Sequence, residues 1–167
     1  MVLHPIIQAY VNTDDRLSEI LEKNLNKEEY LEVAFLAVLN AQFNNNSNQF
    51  DKKLQSEIDE AIVKGHPDTN IYVLFIISVI GHSSNIGQYE KAKSLYSIVI
   101  SVLNENIHPV IQALCMQAEA QINAADGNYT KLHHLMKQSI SLIDRKCPRY
   151  KKVLVHYCTM LAMEGLL

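Results

Sequence analysis

Apolar residues recur along most of this chain at three- and four-residue intervals, the spacing that lines up one face of an α-helix. Ile6, Ile7, Tyr10 and Val11, then Leu17, Ile20, Leu21 and Leu25, fit an N-terminal helical segment over residues 1–26. A break is expected near Asn12-Thr13-Asp14, with Thr13 placed to cap the second piece. From Glu28 to Gln42 good helix formers predominate. The run Asn44-Asn45-Asn46-Ser47-Asn48 ends that helix, because these side chains compete for nearby backbone hydrogen bonds. Phe50, Leu54, Ile58, Ala61 and Ile62 make one apolar stripe on a further helix, punctuated by Gly65 and Pro67.

The second half repeats this order. An apolar helix from Ile71 to about Gly81 leads to Gly87-Gln88-Tyr89, after which Tyr89, Ala92, Leu95, Tyr96, Val99, Val102 and Leu103 share a face. His108-Pro109 starts a helix carrying Ala113, Leu114, Cys115, Ala118 and Ile122, and Asp126-Gly127-Asn128-Tyr129 turns the chain into another with Leu132, Leu135, Met136, Ile140 and Ile143. Cys147-Pro148 opens a last helix with Val153, Leu154, Tyr157 and Leu161. His4, His66 and His108 each precede a proline and are expected at or near helix caps.

These signals come back in phase. Gly87 and Gly127 are 40 residues apart, as are Tyr89 and Tyr129, and the prolines at 67, 109 and 148 are separated by 42 and 39. Two helices per beat of about 40 residues predict an all-α stack of helical hairpins, because one pair cannot bury both its apolar faces alone. The predicted units are hairpins at 27–66, 67–107 and 108–147, preceded by the segment 1–26 and closed by a helix at 148–167. That makes about seven or eight helices in one domain.

Gly87-x-Tyr89-x-x-Ala92, with Tyr96 four residues on, resembles the second-helix signature of the tetratricopeptide repeat. Gly127-x-Tyr129-x-x-Leu132 with Met136 is a looser copy, and Phe50 with Leu54 and Ile58 a looser one still. The family's first-helix Trp is absent, and the beat is nearer 40 than 34 residues, similar to the family's longer variants. The resemblance spans roughly residues 27 to 164. It implies a right-handed antiparallel helical-hairpin array whose first helices line a concave groove. Carried onto this chain, the groove residues are Phe35, Val38, Gln42, Leu74, Ile77, Leu114, Gln117 and Gln121, with Leu154 and Tyr157 added by the last helix. Apolar members would anchor side chains and glutamine amides would bond a peptide backbone. Leu74, Ile77, Phe35 and Val38 serve equally well as core, since Ile71 to Ile80 is apolar on every side.

Composition narrows the function classes. The 167 residues hold only 5 Gly and 4 Pro, few for a β-sandwich or barrel, and 48% are hydrophobic. Three cysteines without CxxC spacing suit reduced thiols, and the N-terminus lacks a basic stretch followed by an apolar one, so a cytoplasmic protein is expected. The formal charge of −3 hides an asymmetry: residues 1–68 carry 12 acids and 6 bases, and residues 69–167 carry 6 acids and 9 bases. Five of those bases, Arg145, Lys146, Arg149, Lys151 and Lys152, crowd one stretch. They read either as a solvated loop and helix start or as an electrostatic contact to an acidic partner or to a second copy's acidic half. With Tyr150 the lone interleaved aromatic, nucleic acid is not expected.

Catalytic signals are weak. Adjacent His133 and His134 diverge by about 100° on a helix, and His156 and Cys158 are two apart, so neither pair shares a ligand face. HExxH, P-loop, GxSxG and GxGxxG motifs are all missing. The expected function is therefore non-catalytic: an adaptor or chaperone-like module, without cofactor or metal, that binds a peptide or partner helix. In size it resembles the small tetratricopeptide chaperones of bacterial secretion systems. A regulatory or homodimerising subunit is the alternative, and an enzyme using histidines the outsider.

Overall fold

The computed structural model describes residues 4–12, 30–43 and 52–165, and these contain eight helices and no strand. They are α1 (Pro5–Val11), α2 (Tyr30–Phe43), α3 (Lys52–Lys64), α4 (Thr69–Asn85), α5 (Tyr89–Val102), α6 (Pro109–Ala125), α7 (Tyr129–Leu142) and α8 (Pro148–Met163). The fold class is all-α. The expected helical piece beyond Thr13, the Asn-rich run at 44–48 and Phe50 all lie outside the described residues.

Capping side chains set several starts. Asp68 accepts from the N–H groups of Asn70 and Ile71 (2.9 and 3.4 Å), and Asn128 accepts from Lys131 (3.2 Å). His4 and His108 use Nδ1 in the same way, accepting from Ile6 and Val110 at 3.3 and 3.2 Å, each followed by a proline at the first helical position. His66 stands near a cap, two residues before Asp68. Its Nδ1 accepts from the Asp68 N–H (3.0 Å), and Asp68 rather than Pro67 adjoins α4, which starts earlier and ends later than Ile71 to Gly81.

The ends of α4 and α6 are the same turn twice. The N–H groups of Gly87 and Gln88 donate to Ser84 and Ser83, and those of Gly127 and Asn128 donate to Ala124 and Asn123. Both are Schellman turns, and they require the positive φ that Gly87 (78°) and Gly127 (75°) supply. The 40-residue beat in the sequence is thus a repeated backbone geometry.

Each of α2, α4 and α6 makes its most extensive contacts with the helix that follows it. The same three helices also pack on one another, α2 on α4 and α4 on α6, while α5 touches α6 and α7 touches α8. Helix α4 is the hub: it contacts α1, α2, α5 and α6, so all ten residues from Ile71 to Ile80 are buried. That arrangement is why a helix with no polar face is tolerated here. Phe35 of α2 meets Phe75 of α4 edge-on, with centroids 6.1 Å apart. Polar links lace α5 and α7 to α6: Lys93 to Asp126 (2.7 Å), the Tyr96 hydroxyl to Glu119 (2.9 Å) and Lys131 to Glu119 (2.7 Å).

Tyr89, placed by spacing on the face of Ala92 and Leu95, is 43% exposed, and Tyr129 at the equivalent position is 51% exposed. Each is the first residue of its helix, and the packing passes to Ala92, Leu95 and Val99 in one case and to Leu132, Leu135 and Met136 in the other.

The histidine cap makes stability pH-dependent. Burial holds the pKa of His108 below its ordinary value, and burial together with Lys91 does the same for His82. The unfolded chain, with histidines near 6.5, takes up protons first as pH falls. Stability from this source is complete above about pH 6.5 and is lost as pH drops below it. Thermal unfolding should move to lower temperature between pH 7 and 5.5. His108→Asn keeps a capping acceptor that does not titrate in this range, so it should flatten part of that slope. An unchanged slope would contradict the assignment.

Candidate binding groove

The expected groove residues fall on the three helices that pack side by side: Phe35 and Val38 on α2, Leu74 and Ile77 on α4, and Leu114, Gln117 and Gln121 on α6. Phe35, Val38 and Leu74 are wholly buried, Ile77 and Leu114 nearly so, and both glutamines are half-buried. Gln42 is on the same helix as Phe35, but its side chain lies outside the described residues. The two contributions expected from α8 part company. Leu154 is exposed, whereas Tyr157 is buried in a second cluster with Ala120, Leu132, Leu135 and Met136.

Helix α1 packs on α4, and its Tyr10 borders a cavity shared with Leu114 and Gln117 of α6. Its Ile6, Ile7 and Ala9 are buried, and Ile6 and Ile7 join the same cluster as Phe35, Val38, Leu74, Ile77 and Leu114. At its C-terminal end the Arg149 guanidinium donates through Nε (3.2 Å) and a terminal nitrogen to the Tyr10 carbonyl. The same guanidinium lies 4.0 Å from the centroid of the Tyr10 ring, a cation–π contact. The Cys147 thiol donates to the Val11 carbonyl at 3.6 Å. A cation on the last carbonyls of a helix also meets the negative end of its dipole. Burial raises the Tyr10 pKa, and Arg149 offsets part of that rise.

Arg149 is therefore engaged within the chain, while Arg145, Lys146, Lys151 and Lys152 of the same basic stretch are exposed. Lys151 and Lys152 border a surface hollow of about 430 Å³ with Val155, His156 and Thr159. A smaller cavity of about 250 Å³ lies between α1, α6 and α8, lined by Tyr10, Leu114, Gln117, Arg149, Lys152, Val153 and His156. The Nε2 of Gln117 is itself buried, without a hydrogen-bond partner. Tyr10, Val153 and His156 were not expected at the groove. The apolar edge of α1 signalled that it docks somewhere, but no local pattern says where.

Docking of α1 is close to energetic balance. Ordering seven backbone residues costs about 1–2 kcal/mol each, on the order of 10 kcal/mol in total. Burying Ile6 and Ile7 returns about 1.5–3 kcal/mol apiece, with a smaller share from Ala9 and Tyr10. The charge-assisted hydrogen bond and the cation–π contact of Arg149 add roughly 2–5 kcal/mol. The two sides agree within a few kcal/mol.

Away from the groove, the Tyr157 hydroxyl donates to Nδ1 of His133 (3.4 Å), whose Nε2–H donates to Glu164 (3.0 Å), tying α7 to the end of α8. Burial pushes the Cys115 thiol up to about 12, so it carries no thiolate at neutral pH. Among the described residues no three His, Cys, Asp or Glu side chains gather as a metal set, and no helix is long and apolar enough to cross a membrane. Comparisons with family models, with curated proteins and with solved structures each give no match. What the described residues define together is a class: an all-α protein in which three helices pack side by side and a short N-terminal helix packs on the middle one.

Proposed function

We propose that this protein is a non-catalytic interaction module, an adaptor or chaperone-like binder in the cytoplasm. It stacks its hairpins as a tetratricopeptide-like array and holds a peptide or partner helix along the face of α2, α4 and α6. The observation that carries this reading is α1 itself, a short helix packed on α4 by buried apolar residues and held at its end by Arg149, which donates to its Tyr10 carbonyl. Partner recognition by helix-in-groove docking uses the same elements: apolar anchors at helical spacing, with polar groups fixing the ends.

The test is to replace Gln117 and Gln121 with Glu in the full chain and measure binding to short helical peptides selected on the wild-type protein. Affinity should fall at least tenfold while the circular dichroism spectrum is kept. Unchanged affinity would remove the groove as the binding site.

One observation favours the alternative of an oligomerising subunit. Helix α8 leaves Val155 65% exposed and Leu154 37% exposed beside Lys151 and Lys152. A second copy bringing acidic residues of its first part would cover that face. Light scattering at high protein concentration separates the two readings, since the first requires no dimer.

A further inference from the structure

We propose that the cavity between α1, α6 and α8, with the hollow beside it, is a binding site for a small phosphate monoester. Arg149, Lys152 and His156 hold the phosphate, and Val155 and Thr159 border the organic part. Binding here does not depend on the interaction reading above.

The charge of the lining carries this assignment. Arg149, Lys152 and His156 border the cavity of about 250 Å³, and among the described residues no Asp or Glu does. Helices α1 and α8 contain no acidic residue, and the one in α6, Glu119, is taken by Tyr96 and Lys131. Other lysines of the fold are matched, Lys93 by Asp126 and Lys131 by Glu119. Among the described residues no carboxylate pairs with Arg149 or Lys152. Nor do these cations serve their own helix, since the first turns of α8 lie at the positive end of its dipole.

The donors match a phosphate in number and kind. A phosphate monoester carries about −1.5 to −2 charges at pH 7, which Arg149 and Lys152 together balance. A carboxylate would leave one of the two unmatched. The Arg149 guanidinium uses Nε and one terminal nitrogen on the Tyr10 carbonyl, and its other terminal nitrogen takes no part in those bonds. Lys152 supplies a point charge, and the His156 ring has an N–H to donate in either protonation state. Lys152 and His156 also border the hollow of about 430 Å³, so the two spaces adjoin across them. Val155 lies exposed in that hollow with Thr159, an apolar contact for an ester's organic group that inorganic phosphate lacks.

The test is a two-dimensional NMR titration of the isotope-labelled full chain with phenyl phosphate at constant ionic strength. Signals of Arg149, Lys152, Val153 and His156 should shift together and saturate. Inorganic phosphate should shift the same signals with at least fivefold weaker affinity, and benzoate with at least tenfold weaker affinity. The double variant Lys152→Gln, His156→Gln changes two exposed side chains, so it should keep the native spectrum and lose at least tenfold in affinity. Lys146→Gln removes a lysine of the same basic stretch that borders neither space, and should change affinity less than twofold.

Shifts that do not saturate, or that spread over all the basic residues, overturn the site. So does a Lys146→Gln variant as weak as the double variant, which would make the attraction a general one. Benzoate or inorganic phosphate binding as tightly as phenyl phosphate overturns the ligand class. A dimer that separates on adding phenyl phosphate would assign these cations to a contact between copies, and overturns the small-molecule site as well.

Discussion

Replacing Phe75 with Ala should destabilise the protein by about 3–5 kcal/mol, the cost of removing a fully buried aromatic ring from a close-packed interior. Phe75 has no exposed surface, and its ring meets Phe35 edge-on at 6.1 Å, which joins the first hairpin to the second through α2 and α4. The lost edge-to-face contact adds to the cavity. Chemical denaturation followed by circular dichroism measures the effect. A loss below about 1 kcal/mol would mean that this interface does not hold the two hairpins together.

The second large effect separates the 40-residue beat from simple interchangeability. Ala92 and Leu132 stand at equivalent positions, both buried, one on α5 and one on α7. Leu132→Ala should cost about 2–5 kcal/mol through the cavity it leaves. Ala92→Leu should cost about 1–3 kcal/mol through overpacking against α4. Tyr89→Ala and Tyr129→Ala, at the exposed first residues of the same helices, should each stay within about 1 kcal/mol. If the tyrosine variants prove as costly as Leu132→Ala, the structure has the wrong residues in the interface.

The helices themselves were legible because their apolar positions recur at helical spacing and their ends carry ordinary signals. Gly87 and Gly127 marked turns that need a positive φ, and Pro109 and Pro148 stand at first helical positions. Tyr89 was misread because spacing assigns a face, not the depth of its cover, and the first residue of a helix overhangs its neighbour. Pro67 falls between α3 and α4, and the start of α4 is capped by the Asp68 side chain.

The candidate site was legible only in part. Sequence identified the faces of α2, α4 and α6 as apolar but gave two meanings, groove or core. Which one holds depends on what lies over them, and that is a long-range matter. Arg149 reaches Tyr10 across 139 residues, and no periodicity encodes such a contact. The basic stretch was equally ambiguous: one of its five members serves the docked helix, and the other four face outward. Buried Ile6 and Ile7 show the difference most simply, since the same two residues would suit the start of any core helix.

The most direct measurement of where a peptide sits is a two-dimensional NMR titration of the isotope-labelled full chain with the helical peptides selected on the wild-type protein. The account predicts that backbone signals of Leu74, Ile77, Leu114 and Gln117 shift together with that of Arg149, while those on α5 and α7 stay in place. Shifts confined to α5, α7 or the exposed face of α8, or no shifts at millimolar peptide, would contradict it.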